Sequence, residues 1–294
     1  MGSSAKTGGA SIFVYHCTHG VARCGMQWHT ILARGSRNLD WRRDGAGGKA
    51  GSSPCPVMDP TRMKALTLCL ALAASALPIA ARAQGPVVVE LYTSQGCSSC
   101  PPADAIMHRL ARRDDVIGLA LHVDYWDYIG WVDDFADPAH TLRQQAYARV
   151  GGRSMIYTPQ MIVQGVEDVV GAREDQVLAL IEAHKARPAP MGLAASRVGD
   201  DITITLTPGA GAQAGFYAVQ LVRYTPLRHA SIQRGELAGH ELDYANVVDS
   251  WQVVGQWDGQ SEKRLSVTTE GELPAVVLVQ QAGPGPILAA ARVE

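Results

Sequence analysis

Two cysteines separated by two serines are the residues of this chain whose types and spacing could do chemistry. They form the segment Cys97-Ser98-Ser99-Cys100, which follows the turn-forming residues 93–96. If a helix begins at this segment, its free N–H groups and its dipole stabilise a thiolate, which favours thiol–disulfide chemistry. A local disulfide without redox function is the alternative for two cysteines at this spacing.

A secretory signal peptide is predicted at residues 63–83. Arg62 and Lys64 form its positive region, residues 65–77 its apolar region, and residues 81–83 an A-x-A cleavage site. We expect cleavage before Gln84, a periplasmic or secreted protein, and no stable membrane span after cleavage. Residues 1–62 are interpreted as a non-native extension from a translation start placed too far upstream, or as a genuine disordered extension.

Of the six cysteines in the sequence, only Cys97 and Cys100 remain after removal of residues 1–83. Two cysteines three positions apart cannot form a disulfide framework across a fold, and a zinc site needs further ligands from scattered histidines. The pair is therefore predicted to be redox-active. Residues 84–294 carry 16 Lys/Arg and 25 Asp/Glu, and this acidic balance argues against nucleic acid as a partner.

The segments around the cysteine pair alternate between strand and helix patterns. Residues 86–92 are an apolar, β-branched strand, and the helix after Cys100 has Ala103, Ile106, Met107 and Leu110 on its inner face. The outer face of that helix is predicted to carry Asp104, His108, Arg109 and Arg112. Further elements are predicted as a strand at 116–123, a helix at 138–150, strands at 161–163 and 166–170, and a helix at 172–186.

This β-α-β-α-β-β-α order over residues 84–188 predicts an α/β thioredoxin-like domain in its short form. Reactive groups in such sheets gather at the carboxyl ends of the parallel strands, where Cys97 lies. Residues 189–294 show alternating patterns typical of short strands and predict an all-β, sandwich-like domain. Its strand candidates are residues 202–206, 216–224, 247–254, 265–269, 276–280 and 287–293.

Three blocks of sequence, residues 90–104, 122–128 and 157–161, resemble a family of exported thioredoxin-like proteins, domain of unknown function 1223. The resemblance continues in the second half at residues 246–248 and 257–259. It implies the thioredoxin-like fold named above, while the family's own function is unknown. The activity must therefore be argued from the residues of the site.

Cys97 is predicted to be the attacking thiol and Cys100 the resolving thiol. Pro159 follows Thr158 where a thioredoxin-like fold places a cis-proline, which would free the backbone at Thr158 to pair with a bound peptide. An ordinary trans-proline is the alternative. Glu90, on the strand before the pair, is a candidate for acid–base catalysis, unless the alternation of the strand points it elsewhere.

An aromatic segment follows the second strand and should lie at the same edge of the sheet as Cys97. Tyr125 and Trp126 are candidates for a substrate-binding wall, with His122 or Asp124 near the sulfurs. Packing of the segment or of a domain interface is the alternative. A Cys–Cys–His copper site that uses His122 is a further alternative, although no metal ligand and no cofactor are predicted.

The sequence therefore favours a thiol–disulfide oxidoreductase of the cell envelope that forms mixed disulfides with a protein or a small thiol. A metal-handling thioredoxin-like protein and a redox-silent binding module are the alternatives.

Overall fold

The computed structural model describes residues 85–210 and 212–294. The predicted extension, the predicted signal peptide and the four cysteines before residue 84 lie outside the described residues. Within the described ranges, no helix is long and apolar enough to cross a membrane.

The first half of the described chain has the predicted order of elements, β-α-β-α-β-β-α. These are β1 (Val87–Thr93), α1 (Pro101–Leu110), β2 (Val116–His122), α2 (Pro138–Val150), β3 (Gln160–Val163), β4 (Glu167–Val170) and α3 (Glu174–Lys185). A short 3₁₀ helix, Asp127–Ile129, lies between β2 and α2.

Strand β1 is the centre of this half, because it pairs in parallel with β2 and antiparallel with β3. All residues of β1 and β2 are buried, as their apolar sequences require. Alternate residues of β1 face opposite sides: Leu91 packs with Met107 of α1, and Tyr92 packs with Tyr147 of α2. The carboxyl ends of β1 and β2 and the beginning of β3 meet at one edge, since Tyr92 pairs with Gln160.

The second half is entirely β in the residues described. Its strands are β5 (Met191–Val198), β6 (Asp201–Pro208), β7 (Tyr217–Ser231), β8 (Glu241–Trp257), β9 (Lys263–Thr268), β10 (Ala275–Gln281) and β11 (Ile287–Arg292). The six strand candidates from the sequence are all strands. β5 is an additional strand, and β7 and β8 extend to 15 and 17 residues.

Four strands of the second half continue the sheet of the first half, where the sequence predicts a separate sandwich-like domain. The eight-stranded order is β11-β10-β7-β8-β2-β1-β3-β4, and β8 meets β2 at the parallel pair Ala120 and Val247. Asn246 has a positive φ of 51° and donates from Nδ2 to the carbonyl of Gly118 at 2.8 Å, which fixes this junction.

The three remaining strands form a second sheet in the order β5-β6-β9. Ile202 and Ile204 of this sheet pack against Val219 and Val277 of the large sheet. The structure is therefore a mixed, mostly β arrangement with few helices. The predicted boundary at residue 188 falls between α3 and β5, and the division into two domains stays a prediction.

Candidate functional site

The cysteine pair lies at the start of α1, just beyond the carboxyl end of β1. Cys97 and Cys100 form a disulfide with an S–S distance of 2.08 Å, and Cys100 is the residue that precedes the first turn of α1. Pro101 and Pro102 occupy that first turn, where the missing N–H groups matter least. The two serines between the cysteines are exposed, whereas Cys97 is only 1 % exposed and Cys100 is fully buried.

The sulfur of Cys97 is bound by a chain of hydrogen bonds from two sequence-predicted residues. Trp126 donates from Nε1 to Thr158 Oγ1 at 2.7 Å, and the Thr158 hydroxyl donates to Cys97 Sγ at 3.2 Å. The peptide bond between Thr158 and Pro159 is cis, as the sequence predicts. Ser99 Oγ is a further neighbour of the sulfur at 3.4 Å.

Residues 124–136 form a covering segment over this end of the sheet. A Cβ atom added at Gly96 would lie 3.0 Å from Trp126 Cβ and 3.3 Å from Ile129 Cδ1, so the segment packs directly against the turn before Cys97. Gln95 anchors the segment, because its side chain accepts from Trp131 Nε1 at 2.7 Å and donates to Asp134 Oδ1 at 2.8 Å.

The aromatic side chains of the covering segment have different positions. Trp126 contacts the site through Thr158, and Tyr128 stacks on Trp126 while remaining 81 % exposed. Tyr125 turns toward α2, where its hydroxyl donates to Gln144 Oε1 at 3.2 Å. The segment therefore combines the two interpretations of the sequence, since Trp126 binds Thr158 beside the sulfur and the half-buried Tyr125 packs toward α2 while also contacting Thr158.

The acid–base prediction for Glu90 needs correction. Its side chain points to the α2 face of the sheet, opposite to α1, where Arg143 binds the carboxylate through Nε and Nη2 at 2.7 and 2.8 Å. Tyr92 and Tyr147 donate to the same carboxylate from their hydroxyls at 3.0 and 2.7 Å. Burial, followed by the charge of Glu90, raises the pKa of both phenols, so they remain donors. Glu90 belongs to a buried ion-pair network.

Asp104, four residues after Cys100, has a buried carboxyl, and its backbone N–H donates to the carbonyl of Cys100 at 3.1 Å. The helical pattern placed this residue on the outer face of α1, but it is only 7 % exposed, and Thr93 Oγ1 donates to its Oδ1 at 2.8 Å. Burial is the main reason that the pKa of Asp104 rises to about 7. Thr93, a polar residue at the end of the buried strand β1, is the sequence signal that could have indicated a buried polar partner.

His122 lies at the carboxyl end of β2 and is fully buried. Its Nδ1 lies 2.7 Å from Asp133 Oδ2, and that carboxylate also accepts from the backbone N–H groups of Gln95 and Phe135 at 2.8 and 2.9 Å. Since Asp133 accepts from its other neighbours, Nδ1 of the imidazole carries the hydrogen and Nε2 is left open. The other proposed neighbour of the sulfurs, Asp124, instead accepts from Thr141 Oγ1 at 2.6 Å.

No group of three or more His, Cys, Asp or Glu side chains is arranged to hold a metal ion in the part of the chain that the structure describes.

The chain matches one family model and is similar to two solved structures. A family model described as "Protein of unknown function (DUF1223)" matches residues 88–280. A crystal structure of a protein from Agrobacterium tumefaciens is 32 % identical with a TM-score of 0.62, and the match covers 71 % of this chain and 94 % of that one. HBP35 of Porphyromonas gingivalis is 15 % identical with a TM-score of 0.48, over 71 % of this chain and 74 % of its own. None of the curated proteins matches the sequence.

Proposed function

We propose that this chain, which belongs to the DUF1223 family of proteins of unknown function, is a thiol–disulfide oxidoreductase with a thioredoxin-like domain. The observation that carries the proposal is the environment of Cys97. Its sulfur is bonded to Cys100 at the beginning of α1 and accepts a hydrogen bond from the Thr158 hydroxyl. A helix N-terminus and a hydroxyl donor both favour the thiolate over the thiol, and the thiolate is the nucleophile in disulfide exchange.

The arrangement of the first half supports the thioredoxin-like assignment. Strands β1 and β2 are parallel and flank the helix that begins at the cysteine pair, and β3 and β4 form an antiparallel hairpin beside them. The carboxyl end of a parallel strand is where α/β sheets place their reactive groups, and Cys97 follows β1 at that end.

The proposed reaction transfers two electrons between the cysteine pair and a substrate disulfide. The Cys97 thiolate attacks one substrate sulfur, so that a mixed disulfide forms and the other substrate sulfur leaves as a thiolate. The Cys100 thiolate then attacks Cys97 Sγ, breaks the mixed disulfide and releases the second substrate thiolate. The products are the oxidised pair and a reduced substrate. The same steps in reverse oxidise a substrate dithiol.

Access to Cys97 requires the covering segment to move. Cys97 is only 1 % exposed, and the Thr158 hydroxyl beside its sulfur is held by Trp126. A substrate sulfur must approach Cys97 Sγ along the line of the S–S bond. We propose that the Trp126–Thr158 contact separates when a substrate enters. The closed contact excludes solvent from the pair in the resting state, and its opening admits a thiol or disulfide group.

The proposed partners are proteins with thiol or disulfide groups, or small thiols, in the periplasm or outside the cell. The signal peptide predicted at residues 63–83 supports this location, because disulfide chemistry persists in oxidising compartments. Amino-terminal sequencing of the exported protein tests the location, and a start near Gln84 is the expected result.

Trapping of the mixed disulfide tests the proposed reaction. A Cys100→Ser variant, expressed with its own N-terminal region in a Gram-negative host, should accumulate adducts through Cys97 that disappear on treatment with dithiothreitol. The matched control is Cys97→Ser, which keeps a single cysteine in the same motif but lacks the attacking sulfur. Equal adduct levels in the two variants, or none in either, contradict the proposal.

A further inference from the structure

Strands β7 and β8 of the second half continue beyond the large sheet as a two-stranded ribbon. The pairing of β7 with β10 ends at Arg223, whereas β7 and β8 pair with each other throughout residues 225–231 and 241–247. We call residues 225–247, with the turn at their tip, the arm. Because the arm projects beyond β10, its side chains pack against the first half.

The arm packs against the rear part of the covering segment, which is residues 131–135. Trp131 and Phe135 lie on a buried apolar cluster of the arm. The cluster is formed by Ala230, Ile232, Leu237, Tyr244 and Val247. The Phe135 ring lies edge-on to the Tyr244 ring, with 5.9 Å between centroids. At the tip of the arm, a Cβ atom added to Gly235 would lie 3.3 Å from Trp131 Cβ, so the two backbones are in close contact.

Gln95 holds the rear part from the other side. Its buried side chain accepts from Trp131 Nε1 at 2.7 Å and donates to Asp134 Oδ1 at 2.8 Å. Its backbone N–H donates to Asp133 Oδ2 at 2.8 Å, and Asp133 is only 3 % exposed. A segment with buried contacts on two sides is expected to open rarely, because both sets of contacts must break together.

The front part of the covering segment, residues 125–129, is held from one side. Tyr125 and Trp126 are half-buried and bind α2 and Thr158 through single hydrogen bonds. Tyr128 stacks on Trp126 and is 81 % exposed, so the outer surface of the front part faces solvent. The front part therefore has fewer contacts to break than the rear part when it moves away from Cys97.

Gly130 joins the two parts and has the properties of a pivot. Its φ is 97°, a backbone conformation that glycine adopts without steric cost. A Cβ atom added at Gly130 would meet no atom of the described residues within 4 Å, so the chain has room to turn there. A hydrogen bond crosses this junction, since the backbone N–H of Asp133 donates to Asp127 Oδ1 at 3.1 Å. Hinges are usually a few loop residues that absorb a change in φ and ψ.

We infer that the arm and Gln95 fix the rear part of the covering segment, while the front part turns about Gly130 to uncover Cys97. This inference rests on the proposed function, in which the contact of Trp126 beside the sulfur separates. The arm confines the movement to the five residues that carry Trp126. The second half thereby controls access to the cysteine pair, because it fixes the part of the segment from which the front part opens.

Hydrogen exchange of the oxidised protein, followed by NMR, tests this division without any thiol reaction. The backbone N–H groups of Asp127 and Ile129, the front pair, donate to carbonyls near the start of the covering segment. Those of Phe135 and Ala136, the rear pair, donate to Asp133. We expect protection factors at least about tenfold higher for the rear pair, because only the front part opens. Equal protection of the two pairs overturns the inference, since the segment then opens as one unit.

A wedge at the tip of the arm tests whether the arm fixes the rear part. Gly235→Asn adds side-chain atoms at the contact with Trp131, and asparagine tolerates the φ of 78° at this position. The matched control is Gly239→Asn in the same turn, with a φ of 82° and no described atom within 4 Å of an added Cβ. We expect only Gly235→Asn to lower the protection of the rear pair, by about tenfold. Leu237→Ala, in the same cluster, carries the test should Gly235→Asn not fold. Equal protection of the rear pair in the arm variant and the control overturns the role of the arm.

Asp127→Ala tests whether opening of the front part controls access to the pair. The substitution removes the hydrogen bond that crosses Gly130 and leaves the contacts of the arm in place. We expect dithiothreitol to reduce the Cys97–Cys100 disulfide about fivefold faster, the effect of one lost hydrogen bond, while the protection of the rear pair is unchanged. An unchanged rate of reduction overturns the inference. Absence of Cys97 adducts in the trapping experiment, with the expected exchange pattern, overturns the proposed function and leaves the division of the segment intact.

Discussion

The indole of Trp126 donates a hydrogen bond to the hydroxyl of Thr158, which in turn donates to Cys97 Sγ. This relay connects the covering segment to Thr158, two positions before β3, and ends on the sulfur that the proposed reaction uses first. The contact therefore has two consequences, one for the stability of the Cys97 thiolate and one for access to it.

Thr158→Val should weaken the thiolate of Cys97, because valine keeps the branched shape of threonine and lacks the hydroxyl donor. A hydrogen bond to a charged group contributes about 1.5–3 kcal/mol. In a Cys100→Ser background, the midpoint of the pH dependence of Cys97 alkylation by iodoacetamide should therefore rise by about one pH unit or more. Thr141→Val, which removes a hydroxyl from the Asp124 contact on α2, is the control. If the midpoint of the alkylation pH dependence is the same for Cys100→Ser alone, with Thr158→Val and with Thr141→Val, the proposed role of Thr158 is contradicted.

Trp126→Phe should make Cys97 more accessible, since phenylalanine keeps an aromatic ring and removes the N–H that binds Thr158. The loss of one hydrogen bond of about 1 kcal/mol should raise the alkylation rate at its high-pH plateau about fivefold. Tyr128→Phe is the matched control, because Tyr128 is 81 % exposed and its stacking on Trp126 is preserved. A rate for Trp126→Phe no higher than that of the control shows that the Trp126 contact does not limit access.

Asp104→Asn should change how stability depends on pH. Burial raises the pKa of Asp104 from 3.8 to about 7 in the folded protein. The folded state therefore keeps a proton that the unfolded chain releases, and stability falls as pH rises from about 4 to 7. Asparagine has no such proton, so the variant should become the more stable protein above pH 7, by up to about 4 kcal/mol.

Urea unfolding of the oxidised proteins at pH 4.5, 6, 7 and 8 measures this difference. Asp175→Asn controls for the removal of one negative charge, because that carboxylate is exposed. If the free energies of unfolding of the parent and of Asp104→Asn differ by the same amount at all four pH values, the Asp104 carboxyl does not titrate between pH 4.5 and 8.

Glu90→Gln should reduce stability and leave thiol chemistry intact. The substitution removes the anion from Arg143, whose side chain is only 13 % exposed and lies over the Trp251 ring at 3.9 Å. Breaking a buried ion pair on one side destabilises by about 3 kcal/mol or more. Glu174→Gln breaks the exposed pair with Arg109 and should cost less than about 1 kcal/mol. Denaturant unfolding gives both values. Slower resolution of the mixed disulfide by Cys100 in Glu90→Gln restores this residue as an acid–base candidate.

The local features of the site could be predicted from the sequence because each depends on neighbouring residues. The apolar run at β1, the Cys97–Cys100 spacing and the prolines that begin α1 are adjacent in the chain, and their order predicts a helix that starts at the pair. The cis bond before Pro159 is predicted from the position that a thioredoxin-like fold gives to its cis-proline, and it is confirmed.

The features that could not be predicted depend on contacts between distant residues. Asp104 is polar and follows Ala103, so the helical pattern alone places it outside. Its burial depends on a contact with a distant residue, Thr93 of β1. Glu90 follows the alternation of side chains along β1. Which side of the sheet its face covers depends on where α2 docks with Arg143, and the strand pattern does not specify this. The junction of the two halves depends on Ala120 and Val247, and strand patterns do not specify which distant strands pair.

Cys97 and Cys100 are proposed to form a reversible redox couple within the folded protein. The redox equilibrium of this pair is the most direct test of the proposal. The protein is equilibrated in glutathione buffers of defined potential from both the oxidised and the reduced state. The fraction of dithiol is then measured by acid quenching and thiol alkylation, with circular dichroism on the same samples. We predict one midpoint from both directions, between about −270 and −120 mV as in thiol–disulfide catalysts, with the fold retained. A pair that stays oxidised below about −300 mV, or that is reduced only as the protein unfolds, is a structural disulfide and contradicts the claim.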